Sequence, residues 1–289
     1  MSIDRKRRRQ SLGPQDPFDP DFDDTQWTDA WLPIPLALPP VTTHTSGYRI
    51  ERQLLEQVEI FGQSYRLSAP FDCRLLFDPA GRLWMSNTPQ EHMMMYNNAA
   101  RSWGHVLVGG LGLGVYPQYA LAGVAGQATA FTIIERSLIV RELVEPALRV
   151  VLDVPLEVRT AGIEEYLAGS TGERFDTIFL DTWDTLDAAN LPAINHLRDL
   201  ARPHVSPGGR LLLWGYRWMV RLFEDACRQL LTVDPLERPV WLEAWIEQTP
   251  AARLLGSVAE HFAGRSIDAE SIDDALRWCR SHIIAVRGN

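Results

Sequence analysis

The segment Gly109-Gly110-Leu111-Gly112-Leu113-Gly114 follows the apolar run Val106-Leu107-Val108. Glycines at 110, 112 and 114 let the chain turn tightly and let a ligand approach the peptide groups without side-chain clash. The dinucleotide fingerprint GxGxxG fails on spacing, because counting from Gly110 its last position is Val115 and from Gly112 it is Pro117. Glu135 ends a second apolar run, 21 residues past Gly114. A carboxylate there can accept both hydroxyls of a ribose. A strand-terminal glutamate alone is more often a solvated end, and the glycine turn at this distance favours the functional reading. Asp181-Thr182-Trp183-Asp184 ends a third run. Two carboxylates and an indole can hold a cation by charge and cation-π contact, and Asp184 can serve as a general base. The structural alternative is that Asp184 or Asp187 caps the next helix.

These residues need elements to position them. Val106 to Gly109, Ala130 to Glu135, Leu156 to Thr160, Thr177 to Asp181 and Arg210 to Gly215 read as short strands. Helical stretches lie between and after them: Val115 to Gly123, Leu138 to Leu148, Ile163 to Leu167, Ala188 to Ala201 and Arg217 to Leu231. The alternation predicts a doubly wound, mostly parallel sheet, whose ligands bind at the carboxyl ends of the strands near the switch point. Ahead of it, Asp78-Pro79-Ala80-Gly81 has type I turn chemistry and predicts a hairpin. Thr88-Pro89-Gln90-Glu91 then predicts a helix from Pro89 to about Ser102. Three regions follow: 1–46, a disordered or extended tail; 47–103, a small β-hairpin segment plus helix; and 104–289, the ligand-binding domain with helical C-terminal additions starting near Thr249-Pro250 and Ser271. In the tail, Trp27, Trp31 and Leu36 are the residues able to dock on the body.

Composition removes several chemistries. Of the 28 basic residues, 27 are arginine and one is Lys6, in the run Arg5-Lys6-Arg7-Arg8-Arg9. A phosphate-loop lysine, a Schiff-base lysine and a kinase strand lysine are therefore excluded from the body. A net charge of -9 argues against a general nucleic-acid surface. Cys73, Cys227 and Cys279 are widely spaced and read as buried thiols in a reducing, cytoplasmic compartment, with no metal site. No leader is expected from the proline- and aspartate-rich start. The uncharged stretch Val106 to Ile134 is broken by glycines and Pro117, and reads as strand, turn and helix rather than a membrane span. His92 and the triplet Met93-Met94-Met95 are read first as packing residues and second as pocket lining. Trp214 and Trp218 fall near the expected pocket rim.

With these motifs in place, the chain resembles the class I S-adenosylmethionine-dependent methyltransferase superfamily. The resemblance is carried by Val106 to Gly114, Thr132-Ile133-Ile134-Glu135, Phe175 to Asp181, and Pro207-Gly208-Gly209-Arg210. It covers roughly Asp78 to Leu231 and is closest in layout to the spermidine synthase branch, with Asp181-Thr182-Trp183-Asp184 standing where that branch carries a DxxD pair. The implied fold is a Rossmann-like methyltransferase fold with a small N-terminal β segment. The implied cofactor is S-adenosylmethionine, or its decarboxylated form.

The resemblance implies that Gly110, Gly112 and Gly114 pass under the methionine part and that Glu135 holds the ribose. Asp181 orients the amine or the acceptor. The acidic residue that reads adenine in the branch falls at Gly162, which leaves adenine to the backbone of Gly162 and Ile163, or to Glu164. The aspartate of the branch's GGGDG turn is Gly112 here, which counts against aminopropyl transfer. The motif of amino methylation on nucleobases is absent. Methyl transfer to an unidentified acceptor is thus the leading expectation, with catalysis by Asp181 and Asp184 and no metal. The alternatives are aminopropyl transfer and a non-catalytic binding module. A homodimer through the N-terminal β segment is a family-level implication.

Overall fold

Residues 42–86 build the first sheet of the computed structural model, which describes residues 16–169, 172–246 and 250–288. Strands β1 (Thr42–Thr43), β2 (Arg49–Ile60), β3 (Gln63–Phe77) and β4 (Leu83–Ser86) pair antiparallel in chain order. The expected hairpin forms at Asp78-Pro79-Ala80-Gly81, where the Gly81 N–H donates to the Asp78 carbonyl at 2.9 Å. A longer hairpin that the sequence reading missed joins β2 to β3 through Phe61 and Gly62, at φ 49° and 77°. This turn matches the twist of paired strands, and Phe61 bears its positive φ because its N–H donates to Gln90 and its ring lies 4.6 Å from Trp218.

Helix α1 (Pro89–Ala99) starts at its threonine cap, with the Thr88 hydroxyl accepting from the Glu91 N–H. The chain then alternates through β5 (Trp103–Gly109), α2 (Val115–Ala120), β6 (Gln127–Glu135), α3 (Leu138–Val151), β7 (Leu156–Thr160), α4 (Ile163–Gly169), β8 (Phe175–Leu180), α5 (Leu191–Ala201) and β9 (Val205–Leu213). The five strands β5 to β9 are parallel, in the order β7-β6-β5-β8-β9. The chain leaves β5 in one direction to β6 and β7, then returns to lay β8 on the other side of β5. That reversal opens a crevice at the carboxyl ends of β5 and β8. The structure is a Rossmann-like, doubly wound sheet, as the alternation predicts.

One apolar core lies between this sheet and α4, α5 and the C-terminal helices, and a second joins its other face to α1, α2, α3 and the first sheet. The C-terminal helices are α6 (Tyr216–Thr232), α7 (Arg238–Ile246), α8 (Gly256–His261) and α9 (Ile272–Ala285). Arg238, 2% exposed, anchors this region by donating to the carbonyls of Leu231, Val233, Phe262 and Arg265. Cys73, Cys227 and Cys279 are free and buried. Among the described residues, no helix is long and apolar enough to cross a membrane.

The N-terminal segment departs from a solvated tail. Residues 1–15, with Lys6 and its arginine neighbours, lie outside the described residues, as does Thr249. From Asp16 onward the chain runs over the body. Phe18 is buried, with its ring edge-on to Tyr216 at 4.9 Å, and the Leu211 N–H donates to the Pro17 carbonyl. Trp31 is buried beside His92 and Phe71, while Trp27 is 61% exposed. Gln118 exchanges two hydrogen bonds with the backbone of Ala37. Aromatic anchors and specific backbone pairing offset the ordering entropy that composition alone leaves uncovered.

Candidate functional site

Backbone hydrogen bonds fix the rim of the crevice. Gly110 donates to the Ile134 carbonyl, Asp181 to Gly109, Ala161 to Glu135 and Trp214 to Leu180, each at 2.9 to 3.1 Å. The turns that follow β5, β7, β8 and β9 are thereby registered against the neighbouring strand ends. Gly110 has φ 94°, and a Cβ there would lie 2.2 Å from the Asp181 carbonyl oxygen. Only glycine meets both demands. A Cβ on Gly112 would meet nothing within 4 Å, so glycine there leaves bare backbone facing open space.

The Glu135 side chain is 6% exposed and doubly held: Oε2 accepts from the Leu111 N–H at 3.0 Å and Oε1 from the Ser137 N–H at 2.8 Å. Each carboxylate oxygen has two acceptor sites, so both oxygens keep capacity for a ligand's hydroxyls.

The cleft has two compartments that share Trp84, Met85, Gly110, Gly112, Asp181, Trp183 and Asp184. The first, about 340 Å³, is completed by Glu135, Arg136, Ala161, Gly162, Ile163 and Glu164. The second, about 260 Å³, is completed chiefly by Glu91, Met95, Tyr116, Phe179 and Trp214. The Tyr116 and Phe179 rings stack at 3.8 Å and form its floor. Among the residues lining this second compartment the charged ones are Glu91, Asp181 and Asp184, all acidic.

Seven of the eight site residues expected from sequence therefore meet in one cleft. Gly110, Gly112, Asp181 and Asp184 lie where the compartments join, with Glu135, Gly162 and Ile163 in the first. Gly114 lies outside the lining of both. It caps α2 at φ 76° and packs against Leu148, which makes it a turn residue rather than a contact surface. Asp184 is exposed at the mouth. The helix-cap role goes to Asp187, whose Oδ1 accepts from the Ala189 N–H at 2.8 Å.

His92 is packed. Its ring bonds the Tyr119 hydroxyl at 2.6 Å and Asn87 at 3.0 Å, and burial pushes its pKa down to about 3. Of the methionine triplet Met95 lines the second compartment, and Trp214 lines it too, while Trp218 lines neither compartment.

Two acids of this region escaped the sequence reading. Glu91 was expected only as part of a helix cap, yet it lines the second compartment. Burial raises its pKa well above the ordinary value, as do the charges of Asp181 and Asp24. Asp24 belongs to the segment read as tail. It is 1% exposed, and its Oδ2 accepts from Asn98 Nδ2 and from the Gly215 N–H, both at 2.8 Å. Burial pushes Asp24 up to about 7 against those hydrogen bonds, and pushes Asp181 up to about 7 with help from Asp24 and Glu135.

The strand order defines a doubly wound α/β domain with a crevice at the carboxyl ends of its strands. No protein-family model matches the chain, and no curated protein matches it. Solved structures resemble parts of it at low identity and low TM-score. MNMC2 from Aquifex aeolicus is 16% identical over 48% of this chain and 55% of that chain, with TM-score 0.34. An SAH-bound methyltransferase from Podospora anserina is 14% identical over 68% and 70%, with TM-score 0.34. Spermidine synthase from Thermotoga maritima is 16% identical over 59% and 54%, with TM-score 0.36. The chain spans about half the length of the first and third of these. The likeness concerns the fold alone, and the fold assignment stands on the strand order itself.

Proposed function

We propose that the chain is a transferase using an S-adenosylmethionine-type sulfonium nucleoside, with methyl transfer to an amine-bearing acceptor as the leading reaction. The observation that carries this reading is Glu135, a buried strand-end carboxylate fixed by two backbone N–H groups above a glycine turn. The residues present fit such a nucleoside. Glu135 offers acceptors to the ribose diol, Gly162 and Ile163 offer backbone beside the base, and Gly112 leaves space that a Cβ would fill. When bound, the cofactor supplies an electrophilic sulfonium carbon.

The chain's own groups do the rest. Asp181, at the junction of the compartments, is placed to orient an amine on either side. Asp181 and Asp184 attract the acceptor's positive charge, Glu91 offers it a hydrogen-bond acceptor, and the indoles of Trp84, Trp183 and Trp214 exclude water around it. The raised pKa of Asp181 lets it take a proton near neutral pH, which an amine must lose before it can act as a nucleophile. Asp184, exposed at the mouth, serves to attract the acceptor. Holding nucleophile and carbon in line supplies most of the acceleration.

One observation favours a second reading, aminopropyl transfer from the decarboxylated cofactor: among the described residues, the second compartment has no basic side chain in its lining to meet a carboxylate. Calorimetry with S-adenosylmethionine, its decarboxylated form and S-adenosylhomocysteine separates the two. Binding of the decarboxylated form alone replaces the methyl reading with the aminopropyl one, and binding of none removes both.

A further inference from the structure

Asp24 belongs to a part of the chain outside the doubly wound sheet and is buried without lining either compartment. One of its hydrogen-bond donors sits on the helix that carries Glu91, and the other beside Trp214 of the second compartment's lining. Asn98 lies on α1 two turns beyond Glu91, and Gly215 follows Trp214, whose N–H donates to Leu180, the residue before Asp181. Asn97 Nδ2 also donates to the Asp24 and Gln26 carbonyls, so α1 grips the segment twice. Oδ1 of Asp24 is buried and has no hydrogen-bond partner among the described residues.

The charged groups around Asp24 are unbalanced. Its neighbour Asp23 is paired with Arg221 of α6, at 2.7 Å, and the same guanidinium donates to Thr25. Among the described residues, no basic side chain is bonded to Asp24 itself. The charge of Asp24 acts on Glu91 of α1 and on Asp181 after β8, raising the pKa of each, and Glu135 also raises that of Asp181. A buried carboxylate without a cation is strongly disfavoured and holds a proton instead.

We propose that Asp24 is a positioning residue for an ammonium group in the second compartment: it ties Asn98 and Gly215 in place and releases its proton to solvent when that cation binds. This rests on the transferase reading above. The carboxylic O–H bond breaks, the proton leaves to solvent, and the resulting carboxylate balances the bound ammonium, which keeps its own protons. The ammonium comes either from an amine acceptor or from the amino end of the cofactor's tail.

The test is calorimetry on the full chain, wild type and Asp24→Asn, near pH 7 in two buffers of unlike ionisation enthalpy. Asparagine keeps an oxygen for Asn98 and Gly215 and removes the charge. The probes are 5′-methylthioadenosine, which has no ammonium, decarboxylated S-adenosylmethionine, and 1,4-diaminobutane with and without methylthioadenosine. Methylthioadenosine is expected to bind both proteins within twofold and to release no proton. An ammonium probe is expected to release protons on binding the wild type, and to bind Asp24→Asn about tenfold more weakly with less release, the equivalent of about one pKa unit. A response confined to the decarboxylated cofactor assigns the subsite to the cofactor tail, and one confined to the diamine assigns it to the acceptor. Either supports the proposal.

Equal affinity of both proteins for both ammonium probes overturns it, as does equal loss of methylthioadenosine. Should Asp24→Asn not fold, Asp24→Ser takes its place in the same comparison, and absence of proton release by the wild type with both ammonium probes overturns the proposal. Failure of methylthioadenosine to bind the wild type removes the nucleoside reading instead, while the ammonium probes continue to report on Asp24.

Discussion

The Leu111 N–H donates to Glu135 Oε2 at 3.0 Å, tying the carboxylate that ends β6 to the glycine turn that follows β5. Two strands of the crevice thus meet through one side chain. Replacing Glu135 by alanine removes this acceptor and leaves the N–H groups of Leu111 and Ser137 without their partner. A stability loss of about 1–3 kcal/mol is expected, read by urea unfolding. An unchanged midpoint would show that water replaces both bonds.

Gly110 and Gly112 differ in what a methyl group would meet. Gly110→Ala places a Cβ 2.2 Å from the Asp181 carbonyl oxygen at φ 94°, so it should destabilise the fold by about 3 kcal/mol or more and abolish nucleoside binding. Gly112→Ala meets no atom within 4 Å, and its φ of 55° lies in the left-handed region, so a loss of about 1 kcal/mol is expected. Thermal melts of the two variants should rank in that order. Equal melts would contradict the close approach at Gly110.

Phe18 tests whether the N-terminal segment belongs to the fold. Its ring is buried against Tyr216 and lies 5.3 Å under the Arg198 guanidinium. Phe18→Ala should lose about 3–5 kcal/mol in urea unfolding. A loss below about 0.5 kcal/mol, the size of an ordinary surface substitution, would show a loosely attached strap.

The pH dependence of stability follows from the buried acids. Asp24 titrates near 7 in the fold and at about 3.8 ordinarily, so between those values the folded chain holds a proton that the unfolded chain has lost. Raising the pH through that window therefore favours unfolding through Asp24, and the effect levels off above about 7. Asp181 acts in the same direction. His92 opposes them below 6.5, because the fold keeps its ring neutral down to about 3. The difference in melting temperature between wild type and Asp24→Asn isolates the first group. Wild type should gain on the variant as the pH falls from 8 to 5, and a constant difference would contradict the burial of a proton on Asp24.

Much of this site is legible in the sequence because strand ends and glycine turns are local signals. The run ending at Glu135 and the glycines at 110 and 112 need only their neighbours to be recognised, and the threonine cap of α1 likewise. Asp24 is different. It sits among prolines and aspartates without periodicity, and its burial depends on Asn98 and Gly215, which lie 74 and 191 residues away in sequence. Glu91 carries a true local signal, the helix start, which hides its second place in the cleft. The β2–β3 hairpin escaped because Phe61 supplies one of its two positive φ values, a position where glycine or asparagine is the usual cue.

The most direct measurement is calorimetric titration of the wild-type chain with S-adenosylmethionine, its decarboxylated form and S-adenosylhomocysteine, repeated on Glu135→Ala. At least one ligand should bind the wild type at one site per chain, and the variant should bind it about tenfold or more weakly, in line with loss of hydrogen bonds to a charged group. Absence of binding by all three, or equal affinity in the variant, would contradict the assignment of this cleft to a sulfonium nucleoside.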